Sequence, residues 1–68
     1  MEIENNETNS KSILIVEDES IIALNLKYDL EDLGYNVIDI VDNGDDAIYS
    51  AVEFRPDLTI MDINLKGM

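Results

Sequence analysis

Ile13-Leu14-Ile15-Val16 is apolar at every position and rich in β-branched residues, it ends abruptly in two acids, Glu17 and Asp18, and no apolar stretch of the chain is longer. Because alternate side chains of a strand point to opposite faces, apolar residues at consecutive positions describe a strand covered on both sides. The segment Ser12 to Glu17 therefore belongs at the centre of a sheet.

From Ser20 the period changes. Ile22, Leu26, Leu30 and Leu33 recur at spacings of four, four and three, which predicts one face of a helix, with Ser20 as its N-cap and Gly34 as its C′ residue. Val37-Ile38-Asp39-Ile40-Val41 reads as a second strand, and the carboxylate inside it suits an edge better than a centre. Asn43-Gly44 breaks the chain. A second helix, about Asp45 to Phe54, sets Ile48, Ala51 and Val52 on one face, carries acids in its first turn where they complement the helix dipole, and is closed by Pro56. Leu58-Thr59-Ile60-Met61 forms a third strand, followed by Asp62 and the loop Ile63 to Met68. The alternation β-α-β-α-β predicts a parallel sheet with right-handed crossovers. With the fully apolar strand in the middle, the strand order is 2-1-3 and the helices fall on opposite faces.

Met1 to Lys11 has no periodicity and reads as a flexible acidic and polar tail, leaving 12–68 as the folded part. A chain of 68 residues makes at most one small domain of marginal stability, since chains of this size bury only about 60% of the surface their unfolded form exposes. A hydrophobic fraction of 46% nevertheless argues against disorder throughout. Cysteine and histidine are absent, which removes disulfides, thiolate chemistry and the usual zinc sites. Sixteen acidic residues against four basic ones give a net charge of -12, which repels nucleic acid and anionic membrane and favours cations or basic partners. No stretch approaches the roughly 20 apolar residues that span a bilayer, and the first residues are polar, so the chain reads as cytoplasmic, without membrane segment or signal peptide.

In a parallel sheet the strand C-termini share one edge, and ligands bind there where the winding reverses, here between the first and third strands. Glu17, Asp18 and Asp62 end those two strands. Two carboxylates about 4 Å apart repel by roughly 4 kcal/mol at an effective dielectric of about 20, so a converging cluster calls for a proton or a cation. Magnesium, which prefers carboxylate, carbonyl and water oxygens, answers that need. The competing reading is that such acids are solvated loop residues, and Glu19 is read as one that starts the helix.

The segments Ile13-Leu14-Ile15-Val16-Glu17-Asp18-Glu19 and Met61-Asp62-Ile63-Asn64-Leu65-Lys66-Gly67-Met68 resemble the receiver domain of two-component response regulators. The resemblance runs from about Lys11 to Met68. Paired acids after the first strand, an aspartate ending the third and the following x-x-Leu-x-Gly-Met make a joint signal more specific than any piece. What it implies is a truncated flavodoxin-like α/β unit in which Asp62 is the phosphorylated nucleophile. It further implies a magnesium ion held by Asp18 directly, by Glu17 nearby or through water, by Asp62, and by the backbone carbonyl of Asn64. Many receivers have aspartate where this chain has Glu17, a departure that changes reach rather than charge. Lys66 reads as solvent-exposed, although it could meet phosphate, and Gly67 serves the turn of its loop. The implied donor is a phosphohistidine on a sensor histidine kinase or a phosphotransfer protein, and the acyl phosphate then biases a conformational equilibrium. By the same resemblance the chain is not an enzyme, since receivers promote their own phosphorylation and dephosphorylation.

A receiver normally has five strands and five helices, whereas this sequence stops in the loop after the third strand. The hydroxyl residue and the lysine that follow the fourth and fifth strands in the family have no counterpart here, so impaired phosphorylation of Asp62 is expected. The third strand should become an unpaired apolar edge, and a homodimer or higher oligomer is expected through that edge or by exchange of elements. A second reading is a non-catalytic, self-associating interaction module with an inherited acidic site. A calcium loop over Asp39 to Ser50 fails on its ligands, with Val41 at the third position and Ser50 at the twelfth.

Overall fold

The computed structural model describes residues 11–62, the last of them by its backbone alone. The tail expected over residues 1–11 therefore lies outside the described residues except for Lys11, as does the loop carrying Asn64, Lys66 and Gly67. Five elements follow one another: β1 (Ser12–Glu17), α1 (Ser20–Asp32), β2 (Asn36–Val41), α2 (Gly44–Phe54) and β3 (Leu58–Asp62). Both strand pairs are parallel and the order is β2-β1-β3, as the sequence predicts.

The central strand accounts for the layering. Ile13, Leu14, Ile15 and Val16 are all buried, and they serve two cores. Ile13 and Ile15 pack with Ala23, Leu26 and Leu30 of α1, while Leu14 and Val16 pack with Ala47 and Ala51 of α2. The helices thus cover opposite faces, which is why no polar residue stands between Ser12 and Glu17.

The edge strand β2 carries a bulge. Ile13 pairs with Val37 but Leu14 pairs with Asp39, so Ile38 is the extra residue. The bulge explains how Val37 and Ile40, three apart in sequence, both pack against the α1 core. It also turns Asp39 toward α2, where the buried Ser50 hydroxyl donates to its Oδ2 (2.6 Å) and the Ile40 N–H donates to its Oδ1 (2.9 Å).

Each helix turns inward part of the face that spacing predicts, Leu26 and Leu30 on α1 and Ala51 on α2, and completes it with small residues rather than with the remaining large ones. On α1 the inward face is Ala23, Leu26 and Leu30, while Ile22 and Leu33 are exposed. On α2 it is Ala47, Ser50 and Ala51, while Ile48 (67%) and Val52 (72%) are exposed. The reason is common to both: small side chains let a helix axis approach the sheet, so the alanines and the serine take the nearest positions. Leu33 is also past the end of the helix, at its C-cap.

The caps correct the sequence reading in part. Glu19, not Ser20, holds the N-cap position of α1, in extended backbone and without a side-chain cap. At the other end Gly34 takes the expected C′ place with φ 99°, donating to Glu31 O while Tyr35 donates to Leu30 O, the paired bonds of a Schellman motif. The second helix starts at Gly44 rather than Asp45, because Asn43 caps it by accepting the Asp46 N–H (2.8 Å).

A polar clamp joins the start of β1 to the start of β3. The Ser12 N–H and hydroxyl both donate to Asp57 Oδ2 (2.8 and 3.1 Å), and the Asp57 N–H donates to Ser12 O (2.9 Å). The Ser12 backbone and side-chain bonds, aided by Lys11, hold the exposed Asp57 carboxyl below its ordinary value. A carboxyl depressed in the folded state lends stability above its unfolded value of about 3.9 and loses it as pH falls through the lower, folded value. Asp57→Asn is accordingly expected to remove one acid-sensitive increment, seen as a shallower decline of melting temperature below about pH 4. An unchanged decline would show that the clamp contributes nothing to acid sensitivity.

Candidate functional site

The end of β1 is where burial meets charge. Glu17 is the last residue of the strand and only 4% exposed, and its Oε2 accepts the Glu19 N–H at 2.9 Å. The carboxylate therefore folds back over the turn and supports the first residue of the α1 cap, where no side chain of Glu19 or Ser20 does so. Asp18 is exposed in the turn between β1 and α1.

β3 brings the third expected acid alongside. Glu17 and Asp62 are directly paired positions in the parallel ladder, on neighbouring strands that run about 4.8 Å apart. The ladder from Ile13↔Leu58 to Glu17↔Asp62 has no break. This edge lies where the chain reverses its winding, since β2 was laid on one side of β1 and β3 on the other. Of the residues singled out from sequence, Glu17, Asp18 and the Asp62 backbone are thus brought to one edge, while Asn64, Lys66 and Gly67 lie outside the described residues.

Among the described residues no three acids form a ligand group by themselves, and the third member of the expected set, Asp62, is described only by its backbone. Among the described residues Glu17 and Asp18 offer carboxylate oxygens and Ser20 a hydroxyl at this edge, which is the donor chemistry of a hard dication. Acids carried to one edge by neighbouring strands repel one another, and a cation between them relieves that repulsion. The residues present fit magnesium on those grounds.

A cavity of about 310 Å³ opens on the other side of this edge, between the ends of β1 and β2. Glu17, Asp18 and Ser20 line it from the end of β1 and the start of α1, Asp42 from the β2 to α2 turn and Asp46 from the first turn of α2. Carboxylates around one opening create a negative potential that draws cations and basic groups and weakens with salt. Asp42 and Asp46 did not stand out in sequence as neighbours of Glu17 and Asp18. The signal was available: Asp42 follows the last residue of β2 as Asp18 follows that of β1, so both had to fall on the same sheet edge. The segment Asp39 to Ser50 is the end of a strand followed by a helix, with no room for a calcium loop.

Comparison with known proteins returns a consistent picture. The family model of the response regulator receiver domain matches residues 13–68. The alkaline phosphatase synthesis transcriptional regulatory protein PhoP of Bacillus subtilis is 43% identical over 56 residues, covering 82% of this chain and 23% of that protein. The transcriptional regulatory protein ResD of the same species is 39% identical over 61 residues, covering 90% of this chain and 25% of the relative. The transcriptional regulatory protein PdtaR of Mycobacterium tuberculosis is 34% identical over 55 residues, covering 81% and 27%. The chain therefore spans about a quarter of the length of these relatives. No solved structure matches it.

Proposed function

The chain belongs to the response regulator receiver domain family, and from that membership we propose that Asp62 accepts a phosphoryl group from a phosphohistidine on a sensor histidine kinase or phosphotransfer protein. The observation that carries the reading is the pairing of Glu17 with Asp62 at the strand edge where the winding reverses. An Asp62 carboxylate oxygen forms the new bond to phosphorus as the bond from phosphorus to the histidine nitrogen breaks, and the imidazole leaves with the electron pair. Glu17, Asp18, Asp62 and the Asn64 backbone carbonyl are the groups proposed to hold magnesium. When bound, the ion supplies charge neutralisation and in-line alignment for a transfer that brings anions together.

The chain's own residues prepare that step. Glu17, tied to the Glu19 N–H, fixes the first turn of α1 and with it the position of Asp18. In this reading the chain is a phosphoacceptor module of a two-component system rather than an enzyme with a substrate to release. A cytoplasmic location without nucleic-acid contact by this chain is proposed from its charge of -12. Among the described residues no helix is long and apolar enough to cross a membrane. The test is incubation with radiolabelled acetyl phosphate. Magnesium-dependent, hydroxylamine-labile label that disappears in Asp62→Asn is expected, and label that persists in that variant would place the acceptor elsewhere.

One observation favours a second reading, self-association. Among the described residues β3 has a single neighbour, and Leu58 (54%) and Met61 (62%) stand exposed on it. Unpaired apolar edges seek partners. Size-exclusion chromatography with light scattering is expected to show a homodimer or larger species whose population grows with concentration and with salt, as screening relieves the repulsion between acidic copies. A compact monomer at every concentration and ionic strength would exclude it.

A further inference from the structure

We propose that the hydrogen bond between Ser50 and Asp39 is a positioning device for the cation site, setting α2 on the sheet so that Asp42 and Asp46 are held across the cavity from Glu17 and Asp18. The inference rests on the metal-dependent reading above for its functional consequence, but its structural half stands on geometry alone.

The grip of α2 on the sheet is weak in apolar terms. Its inward face is made of Ala47, Ser50 and Ala51, whereas its large residues Ile48 and Val52 are turned away from the core. Small side chains allow close approach yet leave little interlocking surface to resist sliding. Within that face Ser50 is buried and donates a 2.6 Å bond to Asp39 Oδ2. Hydrogen bonds are directional where apolar contacts are not, so this bond fixes where the helix sits along β2.

The acceptor is itself held. Asp39 stands just after the Ile38 bulge, and its second oxygen takes the Ile40 N–H at 2.9 Å. One carboxylate therefore joins the kink in β2 to the middle of α2, and between these anchors lie the turn residues Asp42 and Asn43 and the first helical turn with Asp46. Asn43 caps the helix through the Asp46 N–H, so the turn moves with the first turn of α2. Asp42 and Asp46 line the cavity together with Glu17 and Asp18. Losing the Ser50 bond frees the helix to shift, and the acidic turn shifts with it, lowering the negative potential at the β1 acids.

Asp39 acts here through its bonds and not through its charge, and the two can be separated. Asparagine at position 39 removes the charge but still accepts the Ile40 N–H and can donate to the Ser50 oxygen. Alanine at position 50 keeps the charge and removes the bond. Magnesium alone, titrated against the full chain and followed by backbone amide shifts, is expected to bind Asp39→Asn within about twofold of the parent, and Ser50→Ala and Asp39→Ala about threefold or more weakly. In the metal-free proteins, amide shifts of Asp42 to Ala47 should move in Ser50→Ala and stay in place in Asp39→Asn. Weakening in Asp39→Asn equal to that in Asp39→Ala would overturn the proposal in favour of plain charge. Unmoved metal-free shifts in Ser50→Ala would overturn it outright. If the parent chain binds no magnesium, the metal-dependent reading fails together with the affinity half of this one, and the metal-free shifts decide the positioning half.

Discussion

Burial of Ile13 to Val16 on both sides of one strand is the constraint from which the rest follows. Four consecutive apolar side chains can leave water only if a helix covers each face of the sheet. Covering both faces requires two crossovers that pass on opposite sides, and right-handed crossovers then put β2 and β3 on opposite edges of β1. The pairing of Glu17 with Asp62 is a consequence of this arrangement, since the strand that is buried deepest also ends in the acid pair.

The same constraint concentrates charge at one edge. Every parallel strand ends there, and each of the three ends or is followed at once by an acid: Glu17 and Asp18 after β1, Asp42 after β2, and Asp62 closing β3. At the opposite edge the Asp57 carboxylate accepts the Ser12 N–H and hydroxyl. One end of the sheet is thus tied by hydrogen bonds and the other carries negative charge that a cation would relieve. In the reading proposed above, phosphoryl transfer to Asp62 would draw on that division, since it needs an oxygen-rich edge on a sheet rigid enough to hold it.

The strands, their order and the acid edge were legible in the sequence because they depend on consecutive burial and on chain direction, both of which leave local marks. The helix faces were legible in part. Spacing picks out Leu26, Leu30 and Ala51, which do pack inward, but adds Ile22, Leu33, Ile48 and Val52, whereas the sheet is also approached by Ala23, Ala47 and Ser50, whose small size is informative only once the partner surface is known. The bulge was hidden for a related reason: Val37 and Ile40 lie on one face only because Ile38 drops out of the ladder. Asp39, legible as a sign of an edge strand, turned out to be bonded inward to Ser50 rather than turned to solvent. Asp42 is legible in principle, since it follows β2 as Asp18 follows β1, whereas Asp46 nears Glu17 only through the seating of α2.

Whether Glu17, Asp18 and Asp62 share one cation is tested most directly by paramagnetic manganese added at substoichiometric levels to the isotopically labelled chain. The backbone amides of Asp18, Glu19 and Asp62 are expected to broaden together, ahead of all others. Broadening centred instead on the acids at the end of α1, Asp29 to Asp32, with Asp18 and Asp62 unaffected, would contradict a common site at the junction of β1 and β3.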